Sequence, residues 1–234
     1  MKKIAITGKT SKVAKTLKKY FFGSNIIYLE KKKFNILNFK QINNFLKKNK
    51  IKTLVHMAAL SRPMKIHKEN INKSIEINII GTANIVRACR NNNTKLIFFS
   101  TNCVYPGKKG PYSENDNLNP INNYGWSKLG GESAVRMYKN ALILRLCITE
   151  KPFVHQYAFS NVTTNFMFHD DFAKVFHKLI NKKGTPWNRA TAGTRRRKTA
   201  RLLTAARGDN LPTTSPHRAL NGLFLWSIHQ ILSL

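Results

Sequence analysis

Ile4-Ala5-Ile6-Thr7-Gly8-Lys9-Thr10-Ser11-Lys12-Val13-Ala14 reads as a short buried strand that breaks at a glycine and runs straight into a helix. The same switch between short apolar runs and helical spacing recurs along the chain. A helix is expected over Val13 to Phe22, a strand over Ile26 to Leu29, a helix around Phe39 to Leu46 and a strand over Thr53 to Met57. One long helix should follow from about Ile71 to Cys89, then a strand from Leu96 to Phe99. Pro106, Gly107, Gly110, Pro111 and Pro120 mark a long loop before a helix that begins near Tyr124. Leu142 to Leu146 is a further strand, and Asp170-Asp171 sit where a helix N-terminus over Phe172 to Ile180 would favour negative charge. Strand and helix alternating in this way predict an α/β fold, a doubly wound parallel sheet covered on both faces.

The corner at Thr7-Gly8 is where such a fold holds the phosphates of a dinucleotide, against backbone N–H groups and a helix dipole. Gly8, Ser11 and Ala14 stand at the three positions usually filled by glycine, so only the first tight turn is strictly preserved. Glu30 follows Gly8 by 22 residues, near the spacing for an acid that holds an adenosine ribose. Lys31-Lys32-Lys33 come next and could instead pair with a 2′-phosphate or simply be solvated. Both cofactor readings therefore stand, NADP or NAD, with NADPH slightly favoured.

Tyr124-Gly125-Trp126-Ser127-Lys128 carries the chemistry. A Tyr and a Lys four residues apart share a helix face, and an ammonium beside a phenol stabilises phenolate and draws its pKa toward the working range. Two other Tyr/Lys pairs have the same spacing but the wrong context. Tyr28/Lys32 runs off a strand end, where four residues span roughly 13 Å, and Tyr105/Lys109 is broken by Pro106-Gly107. The strand before the helix ends in Ser100-Thr101, and either hydroxyl could hold a substrate carbonyl at the ligand edge of the sheet.

Several classes of function are set aside by composition. The balance of 41 Lys+Arg against 10 Asp+Glu, a net +31, invites a polyanion. The lysines are nevertheless scattered and not interleaved with aromatic residues, so they read as a solvated surface and nucleic acid is not expected as a partner. Cys89, Cys103 and Cys147 form neither a disulfide framework nor a zinc pattern, which fits a reducing, cytoplasmic setting. His155, His169 and His177 lack any pairing that makes a metal site, so no metal is expected. The apolar run after Met1-Lys2-Lys3 stops at Gly8-Lys9, and no stretch approaches the 18 apolar residues of a membrane span.

Composition changes abruptly near residue 187. Up to there the chain holds 28 Lys and 5 Arg; from Asn188 onward it holds 1 Lys and 7 Arg. The division expected is a cofactor-binding domain over 1–186 and, over 187–234, an Arg-rich tail outside the fold, foreign or out of frame. Leu220 to Leu234 could form an amphipathic helix too weakly cationic for a membrane role.

Ile4 to Gly8, His56-Met57-Ala58-Ala59, Asn78-Ile79-Ile80-Gly81-Thr82, Ser100 to Tyr105 and Tyr124 to Lys128 occur in the order seen in extended short-chain dehydrogenases/reductases. With Leu144-Arg145, the Ser-Thr-Asn-Cys-Val-Tyr stretch most resembles the dTDP-4-dehydrorhamnose reductase branch. The resemblance covers residues 1 to about 186 and implies a Rossmann-like fold with a truncated or replaced C-terminal substrate lobe. It implies Thr101, Tyr124 and Lys128 as a catalytic trio, a cofactor over Gly8, Ser11, Lys12 and Val13 and beside Ala58-Ala59, and a substrate contact at Asn102, where the branch usually has an acid. The activity it implies is NAD(P)-dependent reduction of a keto group on a nucleotide-linked sugar. The alternatives are a sugar-nucleotide epimerase or dehydratase, or an inactive cofactor-binding remnant. The expected partners are a nucleotide-sugar substrate and a second copy of the chain, with no membrane.

Overall fold

The computed structural model describes residues 2–107, 112–151 and 166–181. His155, Lys109, Gly110, Pro111 and the whole Arg-rich tail over 187–234, with its final apolar stretch, lie outside the described residues.

Five parallel strands make the main sheet: β1 (Lys3–Thr7), β2 (Ile26–Leu29), β3 (Ile51–His56), β4 (Lys95–Thr101) and β5 (Ala141–Leu146), in the order β2-β1-β3-β4-β5. A second, two-stranded parallel piece joins β6 (Ile148–Thr149) to β7 (Met167–Phe168). The chain leaves β1 toward β2 on one side and places β3 on the other. The crevice at the C-terminal end of β1 is therefore the switch point where such sheets take ligands.

Helices cover both faces. On one side α1 (Lys12–Tyr20) and α7 (His169–Asn181) pack over Ile6, Val55, Ile97 and Phe99, with Leu17, Phe172 and Phe176 wholly buried between the layers. On the other, α2 (Phe39–Asn49), α5 (Gly81–Asn91) and α6 (Asn123–Arg136) cover Ala5, Leu54, Leu96 and Phe98. Ala5/Ile6, Leu54/Val55 and Phe98/Phe99 thus alternate between two cores, the period-2 signature of strands buried on both faces. Asp170 and Asp171 occupy the first turn of α7, as their charge suggests.

The long helix expected from Ile71 to Cys89 is not one regular element. A short α3 (Ile66–Glu69) precedes it, and α4 (Ile71–Ser74) passes through a π-helical stretch, Ile75–Ile80, before α5. A widened turn of this kind costs regular hydrogen bonding and occurs most often at functional sites. No described helix is long and apolar enough to cross a membrane.

Candidate active site

The corner after β1 is held open by a glycine for two reasons. Gly8 has φ of +80°, and a Cβ there would stand 3.2 Å from the Ala58 nitrogen. The first and third strand-to-helix corners can therefore touch. Thr7 secures them: its Oγ1 accepts from the amides of both Met57 and Ala58 at 3.0 Å. Ser11 caps α1, its hydroxyl accepting from Ala14 N at 3.1 Å. The amides of Lys12 and Val13 open that first turn, where a helix leaves its N–H groups without intrahelical partners. Gly8, Ser11, Lys12, Val13 and Ala58 thus meet at one corner; the amides of Ser11 and Ala58 are taken by Gly8 O and Thr7 Oγ1, so those of Lys12 and Val13 at the start of α1 are the donors it offers an anion.

Charged neighbours of this corner are less simply placed. The Lys12 ammonium lies 2.6 Å from Glu150, just past β6. Glu30, directly after β2, stands 3.6 Å from the Lys9 ammonium, while Lys31, Lys32 and Lys33 are exposed. Sequence spacing identified Glu30 and Lys31 correctly as residues at the end of β2; it could not foresee the two ion pairs.

Thr101 ends β4 and Tyr124 lies in the first turn of α6, which packs against the turn that follows Thr101. Thr101 Oγ1 donates to Asn102 Oδ1 at 3.3 Å and accepts from Cys103 N at 3.2 Å. Asn102 is itself buried in a 3-10 turn, Asn102–Val104. The N-terminus of α6 approaches this turn closely, and a Cβ on Gly125 would collide with the Cys103 carbonyl oxygen. Lys128 lies one turn deeper along α6, buried, with its ammonium 4.3 Å from the centre of the Phe98 ring. Of the two hydroxyls at the strand end, Ser100 faces away from this group and donates to Glu132 at 2.8 Å.

The electrostatics differ from the simplest expectation. Burial is the largest influence on Tyr124 and pushes its pKa above the ordinary phenol value; Thr101 and the Arg62 charge pull it back. Burial also brings Lys128 down to about 7, against the opposing pull of Glu132. The expected lowering of the phenol by the lysine is not found: Lys128 is not among the influences on Tyr124, and burial is the largest influence on each group. The phenol is held protonated.

Several buried partners were missed by sequence reasoning. Asn78, within the π-helical stretch, accepts from Leu60 N at 2.8 Å and donates to Leu60 O and to Ser127 Oγ, each at 2.9 Å. It ties the loop after β3 to α6 beside Tyr124. Glu132 is fully buried and accepts from Ser100 and from Arg145 Nε at 3.2 Å, and its ion pair with Arg145 is close. Arg145 Nη1 in turn donates to the Tyr105 hydroxyl at 2.6 Å. Glu132 follows Lys128 by four residues, so the helical spacing that singled out Tyr124 and Lys128 continues to it. His67 has no such signal: it packs on Tyr124 from α3 with ring centres 5.2 Å apart.

The fold has counterparts among known proteins. The family model described as RmlD substrate binding domain matches residues 1–168. The dTDP-D-glucose 4,6-dehydratase of Dictyostelium discoideum is 29% identical over 201 residues, covering 69% of this chain and 45% of that protein. The methionine adenosyltransferase 2 subunit beta of Danio rerio is 32% identical over 117 residues, covering 50% of this chain and 35% of that protein. This chain therefore spans less than half the length of either relative. The crystal structure of dTDP-4-dehydrorhamnose reductase from Bacillus anthracis in complex with NADP superposes with a TM-score of 0.69 at 24% identity, covering 78% of this chain and 72% of that one.

Proposed function

The chain belongs to the RmlD substrate binding domain family, and on that premise we propose that it reduces a keto group on a dTDP-linked sugar with a nicotinamide dinucleotide, NADPH before NADH. The observation that carries this reading is the close packing of the first turn of α6, with Tyr124, on the turn that follows Thr101 at the crevice end of β4, with Lys128 one helical turn further along.

A bound nicotinamide supplies the hydride. The amides of Lys12 and Val13, at the corner made by Gly8 and Ser11, would hold its diphosphate, Ala58 and Ala59 would flank it, and Lys128 would hold its ribose. Thr101 holds the sugar carbonyl oxygen by a hydrogen bond, and Tyr124 releases its proton to that oxygen as the carbonyl carbon gains hydride. The products are a secondary alcohol and the oxidised cofactor, so hydride and proton are both accounted for.

Turnover of dTDP-4-dehydrorhamnose with NADPH, followed by loss of cofactor absorbance, tests the reading. Tyr124→Phe should lower kcat by at least ~10²-fold while leaving NADPH affinity unchanged. Failure of the folded protein to bind either cofactor, or full activity in Tyr124→Phe, would overturn it.

A further inference from the structure

We propose that His67 is a sugar-binding residue of this site, its Nε2 making a hydrogen bond with a ring hydroxyl of the bound hexose. This inference rests on the reductase reading above and extends it to the sugar itself.

His67 is only 1% exposed, and its ring leans on that of Tyr124 at a 55° tilt. Both ends of the residue are anchored. Nδ1 lies 2.8 Å from the Ser74 hydroxyl, and the main-chain oxygen accepts from Asn123 Nδ2 at 2.9 Å. Nε2 is buried, and among the described residues it is the side-chain nitrogen or oxygen that has burial but no hydrogen-bond partner. Orphaned polar atoms of this kind are costly and rare in native interiors, and they call for a ligand or a functional reason.

Position and polarity narrow what that ligand is. Asn123 and Tyr124 form the first turn of α6 at the mouth of the crevice, beside the 3-10 turn after β4, whereas Lys128 lies deeper over Phe98. His67 therefore lies against Tyr124 at the N-terminus of α6, a full turn from Lys128, the residue expected at the cofactor. Burial lowers its pKa, so the imidazole is neutral and offers no charge to a phosphate. If Ser74 donates to Nδ1, Nε2 carries the proton and must find an acceptor; in the other tautomer it must find a donor. A hydroxyl satisfies either, and a sugar ring is the part of the proposed substrate that carries hydroxyls.

Titration calorimetry of the NADPH-loaded full chain with dTDP and with dTDP-glucose tests this, because the ratio of the two affinities isolates the sugar. His67→Asn can keep a partner for Ser74 but has nothing at the Nε2 position, whereas the amide of His67→Gln can reach it. We expect His67→Asn to lose about tenfold of the dTDP-glucose affinity while dTDP and NADPH bind as before, the scale of one hydrogen bond. His67→Gln should recover most of that loss. An unchanged ratio in His67→Asn, or equal losses for dTDP and dTDP-glucose, would overturn the inference and leave the reductase reading intact. No binding of either nucleotide to the wild-type protein would overturn both.

Discussion

Thr7 and His56 fix one another's proton. Thr7 Oγ1 already accepts from the amides of Met57 and Ala58, so its single hydrogen points at His56 Nδ1, 3.1 Å away. His56 must then carry its own proton on Nε2 and donate it to Thr82 Oγ1 at 3.2 Å. Burial, reinforced by the Lys128 charge, brings the histidine down to about 3 and keeps that neutral tautomer in place. A strand end, the cofactor corner and the first turn of α5 are thereby joined through one hydroxyl.

Thr7→Val should break this junction. Two amides and an imidazole nitrogen lose their partner, which predicts a loss of about 1–3 kcal/mol in urea unfolding. Thr7→Ser keeps the hydroxyl and should stay within about 1 kcal/mol of the parent. Equal stability of the valine variant would show that the junction contributes nothing.

Lys128 should make the protein less stable at low pH. Its folded pKa of about 7 lies below the ordinary lysine value of about 10.4, so across that window the unfolded chain binds a proton that the fold does not. Stability from this group therefore rises as pH climbs from about 7 to about 10, and below pH ~7 the fold carries a buried ammonium at full cost. Lys128→Met should be more stable than the parent at pH 6 by at least ~1 kcal/mol, with the gap closing toward pH 10. Thermal unfolding across that pH range would reveal a constant gap, or none, if the lysine were solvated.

The Glu132–Arg145 pair predicts the opposite kind of effect. Both side chains are buried, and Glu132→Ala removes the carboxylate that faces the guanidinium. A loss of about 3–5 kcal/mol is expected by denaturation, with Glu132→Gln intermediate because it can still accept from Ser100. Were the alanine variant to lose less than ~1 kcal/mol, water would have to reach Arg145.

Much of the frame was readable because local pattern and fold agree here. Ile26–Leu29 matches its expected strand residue for residue, β1, β4 and β5 each contain the short apolar run that announced them, and β3 holds all of its expected run but Met57. The start of α6 was legible from Tyr124 and Lys128 because an i, i+4 pair has meaning only on a helix. What remained hidden depends on residues distant in sequence. Asn78 finds Leu60 and Ser127, 18 and 49 positions away, and nothing in the run Ile75 to Ile80 marks a widened turn. Tyr105 was set aside for its broken pairing with Lys109, yet its hydroxyl meets Arg145, 40 positions on. Lys12 was expected over phosphates, and its partner Glu150 lies 138 positions on, just past β6.

The widened turn at Ile75–Ile80 works as a phase adjuster between two unrelated docking tasks. Before and within it, Asn78 and Ile79 meet the close-packed Gly130-Gly131 surface of α6, where a Cβ on Gly131 would strike the Asn78 carbonyl oxygen. After it, Gly81 meets Ile36 and Asn84 donates to the carbonyl oxygens of Ile36 and Leu37, on the α2 side. In a regular helix each residue advances the facing direction by about 100°, so a chain one residue shorter would turn one of these surfaces away from its neighbour. Irregularity in the backbone is thus what allows a single continuous rod to meet α6 on one flank and the α2 side on the other.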